Sequence, residues 1–430
     1  MIGKLNKYIH ITPCNGEYLL YNTINESIVA LREDRLRGRN VILDEGEHSQ
    51  LKSLNFFEPD DCFLANLIEK RSGKQDTLII TISMTQACNL CCVYCSQNDS
   101  KDKGVISEND LDETVKYILE CHKRCHFKTI AVDFFGGEPL LGQSEILYFK
   151  RQIEKYISPQ IISYAIDTNG VLLSKDFFEK FNQLYINLTL SDKRDHDTKR
   201  IFQNGAGSFD IILKNLLDCA DLFNDNRQLR IRNNVSRDTM NSFPDFVHFV
   251  KKYLPWVQYM EIVPIVDFSY NPYRARIAFK DFSDWYINSA IDVLLENNIF
   301  VHFPSPIYSH CRAYAPYDLK VMPDGSLTVC SGQKYGSRSS HISEVSSNID
   351  KVKRIFEVKR TPPIDEECMN CPNIFLCGGK QFCKVGNPCD HLQYNLDDFL
   401  KKYYSYIGTE KESLFSTLSN LMAGENNESC

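Results

Sequence analysis

Between residues 77 and 266, short apolar runs alternate with longer stretches in which apolar residues recur every three or four positions. The runs at 77–84, 128–135, 162–167, 185–190, 229–235 and 258–266 are rich in β-branched and aromatic residues and predict strands. Helical periodicity fills the gaps at about 108–123, 143–157, 174–183, 208–223, 240–254 and 279–297. Ser107-x-x-Asp110 and Ser174, three residues before Phe177, supply helix N-caps. Six strand–helix units in series predict an α/β chain with a partial (β/α)6 TIM-like barrel over 76–304. Its chemistry belongs at the C-terminal strand ends.

The flanks read differently. Residues 1–75 predict a small α/β unit: Tyr8-Ile9-His10-Ile11 and Glu17-Tyr18-Leu19-Leu20-Tyr21 flank the turn Pro13-Cys14-Asn15-Gly16, a hairpin signal. Helices are expected around 26–37 and 61–70, followed by a polar linker at 71–76. From 305 to 392 the regular pattern dissolves into a loop-rich segment with prolines and cysteines. It has too little apolar density for a core of its own and needs metal or covalent staples. Residues 394–422, within a C-terminal segment 393–430, are amphipathic and expected to be helical, and a polar tail follows from 424.

Composition narrows the function classes. With 43% hydrophobic and 24% charged residues the chain can build a sizeable core, and a net charge of -7 argues against nucleic-acid or anionic-membrane partners. No apolar run reaches the length of a membrane span. Behind its lysines Met1-Ile2-Gly3-Lys4-Leu5-Asn6-Lys7 has no apolar signal region, which predicts a cytoplasmic, reducing location. The 17 cysteines are then metal ligands or catalysts sooner than disulfides. Cys88, Cys92 and Cys95 form one spaced group. Cys311, Cys330, Cys368, Cys371, Cys377, Cys383 and Cys389 form another; the rest read as small buried or inert surface thiols.

Cys88-x3-Cys92-x2-Cys95 follows the first strand directly, with Tyr94 before its last cysteine. A [4Fe–4S] cluster held by three cysteines keeps one iron open to a further ligand; a zinc knuckle is the plainer use of such thiols. The spacing resembles the radical S-adenosylmethionine (radical SAM) superfamily, in which the open iron chelates S-adenosylmethionine and cleavage yields a 5′-deoxyadenosyl radical. By that resemblance Cys91 has no ligand role and Tyr94 neighbours the adenine. Gly136-Gly137-Glu138-Pro139, ending the second strand, resembles the GGEP element that takes the methionine amino group; its glycines let backbone approach a ligand. Thr168-Asn169-Gly170 resembles the element beside the cofactor at the third strand end. At the fourth, Thr189-Leu190-Ser191-Asp192 departs from the SxDG pattern, but His196-Asp197-x-x-Arg200 fits HDxxR. Thr189 or Ser191 would meet the ribose and Arg200 the methionine carboxylate, although a solvated helix arginine suits Arg200 too. Ile262-Val263-Pro264-Ile265 resembles the segment lining the adenine.

The downstream cysteines resemble the SPASM domain, which binds two auxiliary [4Fe–4S] clusters. The resemblance assigns Cys311, Cys330 and Cys383 to the nearer cluster and Cys368, Cys371, Cys377 and Cys389 to the farther. The five-residue spacing from Cys377 to Cys383 leaves a swap of Cys383 with Cys389 open, and a four-cysteine zinc ribbon is the alternative for fewer sites. The expected activity is that of a maturase of a ribosomally made peptide, installing a thioether or carbon–carbon cross-link. Its cofactors would be S-adenosylmethionine and three [4Fe–4S] clusters. Its partners would be a precursor peptide with a leader and a flavodoxin- or ferredoxin-type electron donor. The N-terminal hairpin resembles a reduced leader-recognition unit, with a plain structural cap as the alternative. Anaerobic sulfatase maturation is the second activity, disfavoured by Ser331 where that subfamily has Asp. A non-catalytic iron–sulfur protein would need none of the strand-end motifs. No general base stands out; Asp318, Asp324, Glu261 and Asp267 are positional guesses.

Overall fold

The computed structural model describes residues 1–57, 76–95, 104–265, 277–306, 315, 317–328, 340–352, 368, 370–377 (backbone only for Cys377) and 395–416. Contacts divide the chain into two units, Lys74–Ala278 with Cys311–Thr361, and Met1–Gly73 with Phe279–His310 and Pro362–Cys430.

The first unit is built on a parallel sheet. Strands β1 (Thr77–Ser83), β2 (Thr129–Phe135), β3 (Ile162–Thr168), β4 (Leu184–Thr189), β5 (Arg227–Val235) and β6 (Met260–Pro264) each pair in parallel with the next. Helices α1 (Glu108–Cys125), α2 (Gln143–Ile153), α3 (Lys175–Phe178), α4 (Lys193–Lys199), α5 (Phe209–Asp218) and α6 (Phe243–Tyr253) fill the connections. This is the expected order of barrel units. Both anticipated caps form: Ser107 Oγ accepts from Asp110 N at 3.1 Å, and Ser174 Oγ from Phe177 N at 3.3 Å. The helix expected over 174–183 is only the short α3, because Phe177, Phe178 and Phe181 are all buried and the chain must turn at once into β4.

Alternation along the strands is clean. Leu78, Ile80, Ile82, Ile130, Val132, Phe134, Ile186 and Leu188 are fully buried on one face. The intervening positions, among them Asp133, Asp167, Asn187 and Glu261, are only half-buried on the other. Past the cysteine-rich boundary the sheet continues: β7 (Leu319–Val321) pairs in parallel with β1, and β8 (Leu327–Thr328) returns antiparallel. Strands of three and two residues are too short to show a period, which is why this part of 305–392 reads as loop. Helix α7 (Ile342–Val345) follows, and Arg124 of α1 pairs with Asp350 at 2.8 Å.

In the second unit Ile9–Cys14, Glu17–Asn22 and Ile28–Arg32 form an antiparallel sheet in that order. Its first turn has positive φ at Asn15 (50°) and Gly16 (84°), the conformation that an Asn-Gly hairpin turn requires. Of the helix expected around 26–37 only a single 3-10 turn, Glu33–Arg35, forms. Ile28-Val29-Ala30-Leu31 pairs along the Glu17–Asn22 strand instead, because β-branched residues with Leu31 turned inward suit a sheet edge better than a helix face. A helix lies at Glu45–Ser53, started by a reciprocal capping box between Asp44 and Glu47. The other expected helix, 61–70, and residues 71–75 of the linker expected at 71–76 lie outside the described residues. The segment 279–297 is helical through Phe279–Trp285, a π-helical turn at Tyr286–Ala290 and Ile291–Glu296, and it groups with this unit.

Near the C-terminus the helix is Leu396–Tyr404, shorter than the expected 394–422; the chain then turns, and Phe415–Ser416 pairs with Val301–His302. Asp397 of that helix accepts from Thr12 Oγ1 at 2.7 Å and lies 2.6 Å from His10 Nε2, beside the Ile9–Cys14 edge. Cys368, Ile374 and Phe375 pack with Tyr8, whose ring meets Phe375 edge-on at 4.8 Å.

Candidate functional site: the cysteine loop and the strand ends around it

The loop after β1 is held by backbone from two directions. Gly137 N donates to Thr85 O at 2.7 Å and Glu138 N to Ala87 O at 2.8 Å. From the far side, Cys91 N donates to Ile201 O at 2.7 Å and Val93 N to Lys199 O at 2.9 Å, with Leu90 bridged to Phe202. The cysteine loop is thus clamped between the end of β2 and the segment after α4. Both glycines exist for this clamp. A Cβ on Gly136 (φ +146°) would lie 2.4 Å from Thr85 O, and one on Gly137 would lie 2.2 Å from Ala87 O. The close approach that they permit is to the loop that carries Cys88.

Glu138 is fully buried, and its carboxylate is already engaged. It accepts from Leu140 N at 3.0 Å, Thr168 Oγ1 at 2.6 Å and Asn169 N at 2.8 Å. Burial pushes the carboxyl above its ordinary range, against the pull of these bonds and of Arg200. The chain of contacts continues: Asn169 Nδ2 donates to Asn89 Oδ1 at 2.7 Å and lies 3.7 Å from Cys88 Sγ, which also accepts from Leu90 N at 3.4 Å. Glu138, Thr168 and Asn169 therefore tie the ends of β2 and β3 to the first cysteine. Gly170 (φ +80°) closes the turn.

After β4, α4 organises the remaining residues. His196 is fully buried; Nε2 lies 3.0 Å from Ser208 Oγ, which donates to the Arg200 carbonyl at 2.7 Å. Burial, then Arg200, lowers the imidazole's pKa well below its ordinary value, so His196 is neutral and structural. Asp197 caps α5 by accepting from Phe209 N at 2.9 Å. Arg200 is 8% exposed; Nη1 donates to Tyr94 Oη at 3.1 Å, and buried Nε has no acceptor among the described residues. Burial disfavours its charge, but Tyr94, Cys92 and Cys88 outweigh that and raise its pKa further.

Thr189 ends β4 in register with Arg232, and Ile265 is buried beside Val235, to whose carbonyl its N–H donates at 2.8 Å. Pro139 is buried at the start of a 3-10 turn. Ser191 Oγ donates to Asp195 at 3.0 Å, and Asp195 pairs with buried Lys199, whose Nζ also reaches Ser236 Oγ at 2.7 Å. Sequence reasoning missed this pair; its signal was the i, i+4 spacing of Asp195 and Lys199 on one helix.

Cys88, Cys92 and Cys95 lie on this loop, with Cys95 N bonded to Cys92 O at 3.1 Å. Burial raises the pKa of the Cys88 and Cys92 thiols. Among the described residues no three His, Cys, Asp or Glu side chains are placed as a ready site for a single metal ion. Three thiolates on one loop suit a cubane, which takes each on a different iron, as well as a zinc site. Neighbouring N–H···S donors and a buried, partly unsatisfied arginine fit an anionic cluster with an anionic ligand. Cys371 N donates to Cys368 O at 3.0 Å in a tight turn. Cys311, Cys330, Cys383 and Cys389 lie outside the described residues, as do Ser331 and Asp267.

The positional guesses for a base divide. Asp318 accepts from Ile79 N at 2.9 Å and Asp324 from Ser326 N at 3.0 Å, so both serve backbone. Glu261 lies 3.7 Å from Arg232 on the polar face of the sheet. Asp167, on that face one residue before Thr168, was overlooked as a strand interior. Burial, then Asp133, pushes it up to about 6. A carboxyl raised by folding costs stability as pH climbs from about 4 to about 6, and that cost persists above. Asp167→Asn should therefore raise the thermal midpoint more at pH 7.5 than at pH 5.5; equal gains at both would rule out the buried charge as the cause.

Residues 82–249 match the Radical SAM superfamily model. The radical SAM cyclopropyl synthase TigE of Paramaledivibacter caminithermalis is 24% identical over 70% of this chain and 66% of its own length. The GTP 3',8-cyclase of Clostridium acetobutylicum is 34% identical over 31% of this chain and 40% of its own. The chain thus spans less than two thirds of either relative. Among solved structures, anSMEcpe with bound AdoMet and a Cp18Cys peptide superposes with TM-score 0.58 at 18% identity, over 77% of this chain and 98% of that one. SuiB of Streptococcus suis bound to S-adenosylmethionine superposes with TM-score 0.55 at 15% identity, over 88% and 95%. Such identities speak for the fold alone. The cysteine loop, the glycine cradle and the buried arginine all fall inside the matched segment, and the chain carries a radical SAM domain at residues 82–249.

Proposed function

We propose that the protein is a radical SAM maturase that cross-links a ribosomally made peptide. Buried Arg200, its Nε without a partner among the described residues and its charge beside Cys88 and Cys92, carries the cofactor part of this reading. When bound, S-adenosylmethionine on a [4Fe–4S] cluster supplies a 5′-deoxyadenosyl radical, which takes a hydrogen atom from the substrate. The chain's own residues do the holding. Cys88, Cys92 and Cys95 bind the irons, and the Gly136-Gly137 cradle orients their loop. Glu138 and Asn169 hold it from the β3 side. Arg200 takes the methionine carboxylate, while Thr189, Ser191, Tyr94 and Ile265 line the nucleoside. The polar sheet face with Asp167 and Glu261 receives the substrate. Seven further cysteines, Cys311, Cys330, Cys368, Cys371, Cys377, Cys383 and Cys389, hold two auxiliary clusters in a SPASM-type segment, and a flavodoxin- or ferredoxin-type protein supplies electrons.

The peptide assignment draws on two neighbours in fold, anSMEcpe with its Cp18Cys peptide and SuiB with its precursor peptide SuiA. The strand Ile28–Arg32 supports it further: among the described residues no other strand pairs with its outer edge, which suits an added leader strand. A relative named a cyclopropyl synthase favours a carbon–carbon link over a thioether. Sulfatase maturation remains the second reading because anSMEcpe is also a neighbour. No described helix is long and apolar enough to cross a membrane. Anaerobically reconstituted, reduced protein with S-adenosylmethionine should yield 5′-deoxyadenosine and methionine and contain about twelve irons per chain. Failure to cleave S-adenosylmethionine would refute the radical reading, and about four irons with bound zinc would remove the auxiliary clusters.

A further inference from the structure

Tyr94 stands at a junction that its expected role beside the adenine does not explain. Its hydroxyl oxygen accepts from Arg200 Nη1 at 3.1 Å and from Asn234 Nδ2 at 3.4 Å. Asn234 comes from β5, two residues beyond Arg232 and on the same face of the sheet, so three separate segments meet at one phenol oxygen. A guanidinium is a planar fork with five donors. With Nη1 turned to Tyr94, the edge formed by Nε and Nη2 is presented away from the phenol. That edge takes a carboxylate side-on through two parallel bonds. Nε is also the buried donor that lacks an acceptor among the described residues, in a side chain only 8% exposed.

Resting on the cofactor reading above, we infer that Tyr94 and Asn234 are positioning residues. They form a relay, Asn234 to Tyr94 hydroxyl to Arg200 Nη1, that fixes the guanidinium so that its Nε edge faces the carboxylate of the bound cofactor. Tyr94 then acts through its hydroxyl, and loss of that oxygen matters more than a change of its ring. The relay also gives β5 a part in binding that no strand-end motif shows. Arg200 sits just past the last turn of α4, where the chain alone leaves its long side chain several rotamers. One bond to an aromatic hydroxyl that Asn234 also holds reduces that freedom before the ligand arrives.

The two roles of Tyr94 separate by ligand. S-Adenosylhomocysteine carries the carboxylate; 5′-methylthioadenosine carries the same nucleoside without it. Equilibrium dialysis of each with the anaerobically reconstituted holoenzyme reads both. Tyr94→Phe is expected to weaken S-adenosylhomocysteine about tenfold, the loss of one charge-assisted bond, and Asn234→Ala about threefold, the loss of a neutral one. Both should leave 5′-methylthioadenosine and iron content at wild-type levels. Tyr94→Leu, which also removes the ring that lines the nucleoside, should weaken S-adenosylhomocysteine at least as much as Tyr94→Phe. The relay is overturned if Tyr94→Phe binds S-adenosylhomocysteine as the wild type does, or if either variant weakens both ligands alike. It is equally overturned if only Tyr94→Leu loses affinity, since that is the mark of a ring contact. Wild-type holoenzyme with no affinity for S-adenosylhomocysteine would instead remove the cofactor reading itself.

Discussion

Gly137→Ala is expected to leave a folded protein that cleaves S-adenosylmethionine about a hundredfold more slowly. The added methyl would sit 2.2 Å from Ala87 O and 2.6 Å from Gln86 O. Both are backbone oxygens, so the contact cannot be relieved by rotating a side chain. The loop must move by about an ångström, with an overpacking cost of about 1–3 kcal/mol. That movement strains the bonds from Gly137 N to Thr85 O and from Glu138 N to Ala87 O, and it carries Cys88, the next residue, with it. A displacement of this size at a ligand costs about a hundredfold in rate. The check is 5′-deoxyadenosine production alongside iron content and thermal midpoint. A variant that keeps wild-type cleavage would show that the glycine serves something other than the clamp.

Replacing Cys88, Cys92 and Cys95 together by alanine should abolish cleavage altogether, to the background of the reductant. On the proposed reading about eight of about twelve irons remain, because the downstream cysteines are untouched. Iron analysis and 5′-deoxyadenosine assay on one anaerobic preparation decide it. Cleavage that survives the triple change would place the radical chemistry elsewhere in the chain, and loss of all iron would mean that the downstream cysteines hold no clusters of their own.

Where the sequence misled, the physical causes differ from place to place. The region 26–37 reads as helical in the sequence, yet partners along Glu17–Asn22 draw Ile28–Arg32 into the sheet. Helix Glu45–Ser53 was passed over because it buries only Leu51 and carries little periodic signal; its Asp44-x-x-Glu47 capping box was the readable sign. Strands β7 and β8 are too short for any period. At the site, the residues of the strand-end motifs do converge on the cysteine loop, but several do so in unexpected roles. Gly136 and Gly137 admit the backbone of the cysteine loop, Glu138 joins two strand ends, and His196 and Asp197 build the support beneath Arg200.

The sequence by itself determined the order of the six barrel strands and the helices between them, the Asn15-Gly16 hairpin, and the three cysteines after the first strand. These follow from period, turn chemistry and spacing, all of which are local. Only the tertiary structure decided what the clustered residues touch. The Tyr94 hydroxyl meets Arg200 and Asn234 across separations of 106 and 140 residues, and Asn169 reaches Cys88 across 81. Such contacts depend on strand register and on which face each side chain takes, and a parallel sheet settles both only when all of its strands are in place.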